Sequence, residues 1–100
     1  MSHPTGNFSF IENPDDRYKL EDAYQAIDSV RGGWALLKKM SDEEFDRYIS
    51  GKSVPSMNRI NNNLKYSGHS GNTIFWTFLR MRKIAVEGWD AFITQEVAAY

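Results

Sequence analysis

Cysteine is absent from this chain of 100 residues. That excludes a disulfide framework, a thiolate zinc site and a cysteine nucleophile. Histidine occurs only as His3 and His69, which leaves little for an imidazole metal site or a histidine general base. No apolar run approaches the ~20 residues of a membrane-spanning helix. Met1–Phe10 has neither a basic nor an apolar block of the kind that opens a secretory signal. These absences point to a cytoplasmic chain with no membrane partner. The acidic clusters lack the Asp-x-Asp-x-Asp-Gly spacing of a calcium loop, and no metal or cofactor is expected. The only adjacent nucleophile–base pair, His69-Ser70, is one residue short of a Gly-x-Ser-x-Gly elbow and has no strand before it. The reading is therefore not an enzyme.

What the chain does contain is 41% apolar residues, with 14% aromatic. This is enough to fold one domain, and the length leaves no room for a second core. Asn13-Pro14-Asp15-Asp16 reads as a helix start: a capping side chain, a proline at the first helical position, then two acids in the first turn. Leu20, Ala23, Tyr24, Ile27 and Val30 follow at helical spacing, and Gly32-Gly33 ends the run. Trp34, Leu37 and Met40 predict a short second helix. Ser41-Asp42-Glu43-Glu44 is a capping box for a third, with Phe45, Tyr48 and Ile49 on its apolar side and Gly51 as its stop. A fourth helix is predicted from Pro55 through Met57, Ile60 and Leu64, weakly specified because Asn61-Asn62-Asn63 are poor helix formers.

Residues 73–87 are the most apolar element. Ile74, Phe75, Phe78, Leu79, Met81, Ile84, Ala85 and Val86 cover roughly 200° of a helical wheel. A helix that apolar should be central and contacted on more than one side. Beyond Gly88, the residues Trp89, Phe92, Ile93, Val97 and Tyr100 continue the phase, as one long helix or as two meeting at the glycine. The fold class that follows is all-α: a single domain over residues 1–100, five or six helices around the central helix at about 73–87. Residues 1–12 form an N-terminal arm whose Phe8, Phe10 and Ile11 should dock on the core.

Charge is unevenly distributed. Residues 1–50 carry ten acids and six bases, a net −4, whereas residues 51–100 carry three acids and six bases, a net +3. The stretch 52–83 holds Lys52, Arg59, Lys65, Arg80, Arg82 and Lys83 and no acid. Trp76, Arg80 and Lys83, at i, i+4 and i+7, share a helix face on which Arg80 can stack over the indole. Arg82 falls inside the apolar arc and should snorkel or pair with Glu96 or with an acid from one of the two acidic clusters, Asp15, Asp16, Glu21 and Asp22 or Asp42, Glu43, Glu44 and Asp46. Gly68-His69-Ser70-Gly71-Asn72-Thr73-Ile74 is similar to the Gly-x-x-Gly loop with which KH domains clamp a nucleic-acid backbone. It departs from that family in Ser67, in a His-Ser centre without a cation, and in the lack of strands around it. Only its local chemistry is carried forward: an anion site at Gly68, His69, Ser70, Gly71 and Asn72 before a helix start.

The function these features suggest is a small non-enzymatic binding protein that docks on a larger protein or ribonucleoprotein through Trp76, Arg80, Lys83, Lys65, Arg59 and Lys52, or else through an acidic helix face. Small motif-free helical proteins of phages and mobile elements inhibit host complexes in this way, CRISPR-type effectors among them. The second reading is nucleic-acid binding through the acid-free stretch 52–83, against which stands the near-neutral total charge of −1. Self-association between faces of unlike charge is a further possibility.

Overall fold

The computed structural model describes residues 5–65 and 71–98, with the side chains of residues 71, 72 and 98 outside that description. Six α-helices follow in order: α1 (Pro14–Asp28), α2 (Gly33–Lys39), α3 (Asp42–Ile49), α4 (Asn58–Asn63), α5 (Gly71–Glu87) and α6 (Trp89–Ala98). No strand occurs among the described residues.

The starts of α1 and α3 are those the sequence marks, whereas α5 begins at Gly71, two residues before the expected 73. The Asn13 side chain accepts from the Asp15 and Asp16 amides, at 2.9 and 3.2 Å, with Pro14 in the first turn. Ser41 Oγ accepts from the Glu44 amide at 3.1 Å. The fourth helix differs from expectation. Pro55–Met57 form a 3-10 turn, and α4 proper covers only Asn58–Asn63, with Leu64 already extended at its end. Three consecutive asparagines, whose side chains compete for backbone hydrogen bonds, give no reason for it to continue. At the other boundary the chain makes two helices rather than one. Gly88 adopts φ +97°, closes α5 by donating its amide to Ile84 O at 3.0 Å, and lets α6 begin at Trp89.

α5 is the central element, packed against α1, α2, α3 and α6. Its Phe78 and Met81 are fully buried beside Leu20 and Ile27 of α1 and Leu37 of α2, and its Ile84 nearly so. α2 reaches its place because Gly33 lies against α1: a Cβ there would come within 2.3 Å of Ile27 O. The arm is part of the core. Phe8 is fully buried among Tyr24, Trp89 and Phe92, edge to face at centroid distances of 5.8, 5.2 and 6.0 Å. Arg17 fixes the end of the arm by donating from Nε and Nη2 to Ile11 O at 2.9 and 2.7 Å. The Cα radius of gyration, 12.9 Å, matches the ~13 Å of a compact chain of this length.

Candidate docking surface

The wide apolar arc of α5 is not fully covered. Ile74, Phe78, Met81, Ile84 and Ala85 face the other helices, whereas Phe75, Leu79 and Val86 remain 51%, 40% and 50% exposed. The sequence predicts contact on more than one side, and α5 has it. The correction is that four neighbouring helices still leave one edge of the arc open. The open residues, with Arg82 between them, stand at 75, 79, 82 and 86. Steps of four, three and four keep them in one line along the helix, the spacing of a coiled-coil seam.

Part of this seam forms the wall of an open groove of about 780 Å³. α5 contributes Leu79, Val86 and the charged side chains beside them; α3 contributes Asp42, Phe45 and Asp46; α6 contributes Glu96. The cations are held in place by neighbours. Arg82 donates from Nη2 to Met40 O at 2.6 Å, pairs through Nη1 with Asp42 Oδ1 at 3.0 Å, and lies 4.7 Å over the Phe45 ring. It thereby fastens the α2–α3 turn to α5. The acid it finds is in the second acidic cluster, while Glu96 goes to Arg80. Arg80 Nε lies 3.0 Å from Glu96 Oε1, off the line of its N–H, so the contact is one of charge rather than an aligned hydrogen bond. The same guanidinium donates from Nη1 to Trp76 O at 2.9 Å and sits 4.3 Å over the indole. Lys83 and Glu87 are 3.9 Å apart.

Of the side chains singled out in the sequence, Trp76, Arg80 and Lys83 do share one side of α5. The stack of Arg80 on Trp76 is formed within the chain. Trp76 is half-buried, packed on the core and bordering a recess with Asp16 and Lys19 of α1. Lys52, Arg59 and Lys65 are exposed, on the segment after α3, on α4 and after α4. Lys65 stands beside α1, where its backbone amide donates to both oxygens of the buried Asp22 carboxylate, at 3.1 and 3.2 Å. The acid-free stretch is thus acid-free along the chain and not in space, since Asp42, Glu87, Glu96 and Asp22 reach its members from outside it. Gly68, His69 and Ser70 of the anion site lie outside the described residues. Gly71 and Asn72 are the first two positions of α5.

Two roles had no sequence signal. Asp22 reads as one acid of a helix-start cluster, but it is buried and organises the segment after α4. The seam was hidden within an arc that looked uniformly core-forming. Among the described residues no group of three or more histidine or acidic side chains could hold a metal ion. A scan of family models finds no match to the chain, and neither the curated proteins nor the solved structures compared with it give one.

Proposed function

We propose that the chain is a non-catalytic binding protein that docks on a larger protein through the open seam of α5. This is the mode by which phage and mobile-element proteins block host complexes such as CRISPR-type effectors. The observation that carries the reading is the line of Phe75, Leu79 and Val86, three large apolar side chains 40–51% exposed on the most apolar helix. Single exposed apolar residues are ordinary, but three in one line along a helix, with charges among and beside them, have the composition of an interface core and rim. Tryptophan and arginine, present on the same helix as Trp76 and Arg80, are over-represented among interface hot spots.

A photo-crosslinking side chain placed at Leu79, with Arg31 as an exposed control position, tests this in cells that express the protein. The expected result is a protease-sensitive, nuclease-resistant adduct at position 79 that is absent at 31 and abolished by Val86→Glu. A nuclease-sensitive adduct supports nucleic-acid binding instead, and no adduct at 79 overturns the docking face.

A further inference from the structure

Charge and spacing on the seam define what it takes. Resting on the docking reading above, we propose that the occupant is an amphipathic α-helix of the partner, laid along α5, with basic side chains on the edge that meets α3.

The spacing sets the shape. Phe75, Leu79 and Val86, four and then seven residues apart, form one apolar row along α5, the shape that the apolar stripe of a second helix matches. From Phe75 to Val86 the seam is about 16 Å long at 1.5 Å per residue, so three turns of a partner helix cover it.

The charges set the chemistry. The groove is lined by four acids, Asp42, Asp46, Glu87 and Glu96, and three bases, Arg80, Arg82 and Lys83, a net of −1. Each base already has an acid: Arg80 has Glu96, Arg82 has Asp42 and Lys83 has Glu87. A partner acid gains little from cations so compensated. The surplus is on α3. Asp46 has no cation within ion-pair distance among the described residues, and it stands at i+4 from Asp42 on the groove side of that helix. The Asp42 side chain is 92% exposed and spends only Oδ1 on Arg82, leaving Oδ2 for a second donor. Two carboxylates one turn apart match lysines or arginines one turn apart on an approaching helix. The acid-free stretch suggests an anionic partner along the chain, but the folded surface selects a cationic one.

Two fluorescein-labelled peptides of about 14 residues test this by anisotropy with the full chain. Both carry leucine at the a and d positions, one with lysine and the other with glutamate at the flanking positions. The lysine peptide should bind at least tenfold more tightly. Leu79→Glu should weaken it at least tenfold, and Asp46→Lys should remove the preference between the two, with circular dichroism confirming that both variants remain folded. If the glutamate peptide binds as well or better, the charge assignment falls while the docking face stands. If neither peptide binds, or binding ignores Leu79→Glu, the helix-in-groove assignment falls, and the crosslink at position 79 decides the docking reading separately. A concentration-dependent dimer of the protein alone, lost in Leu79→Glu on sedimentation, overturns the proposal in favour of a second copy of this chain.

Discussion

At the scale of single residues, buried polar groups determine much of the outcome. Asp22 is 4% exposed on α1, yet its carboxylate accepts a backbone amide from a residue 43 positions away. Asp22→Ala leaves the Lys65 N–H without this acceptor and should cost about 1–3 kcal/mol, read as a lower denaturation midpoint at unchanged slope. Gly33 is a second such point. Gly33→Ala places a methyl 2.3 Å from a backbone oxygen of α1, which cannot swing aside as a side-chain tip would. Expansion of that contact should destabilise the fold by about 1–3 kcal/mol. Neither residue was legible for this role: an aspartate in an acidic cluster and the second of two glycines look like ordinary helix punctuation, and their partners lie on other elements.

At the scale of elements, local chemistry decided where helices start and stop. Asn13, Ser41, Gly51 and Gly88 act where they stand, because capping involves only neighbours in sequence. Asn13→Ala should therefore lower stability by about 0.5–2 kcal/mol without altering the seam, so the preference for the lysine peptide should survive. Gly88 adopts φ +97° between α5 and α6, a conformation that costs an alanine roughly 1–2 kcal/mol. Gly88→Ala should cost about that much, measured by thermal unfolding. The extent of burial around α5 was not fixed at this scale. The wheel shows an apolar arc, but how much of it is covered depends on how many helices arrive and at what angle.

At the scale of the whole molecule, the third helix is tied to the fourth through Tyr48, whose hydroxyl donates to Asn61 Oδ1 at 2.6 Å. Burial raises the Tyr48 phenol far above its ordinary value of 10.0, and burial, then the nearby Asp28 charge, raises Tyr24. In the unfolded chain Tyr48 ionises near the ordinary value, while burial in the fold keeps it neutral. Its contribution is fully present below about pH 10 and is lost as pH climbs beyond it, by up to ~1.4 kcal/mol per pH unit, and the more exposed Tyr24 acts in the same direction. Denaturant titrations from pH 9 to 12 should show stability falling over that range, and Tyr48→Phe should flatten the fall. The arm belongs to this scale as well. Phe8 joins the two ends of the chain by packing on α1 and α6, and Phe8→Ala should cost about 3–5 kcal/mol, visible as a loss of cooperative unfolding at moderate temperature.

The sequence by itself determined the helical class, the caps at Asn13 and Ser41, and the central place of the 73–87 segment, and it left open whether the chain breaks at Gly88. Each of these follows from interactions within a few residues or from the total apolar content. Tertiary structure alone decided which edge of α5 stays open and which acid meets each base. Side-chain neighbours across the fold are chosen by the packing of whole helices, so a stretch free of acids along the chain can sit among carboxylates in space.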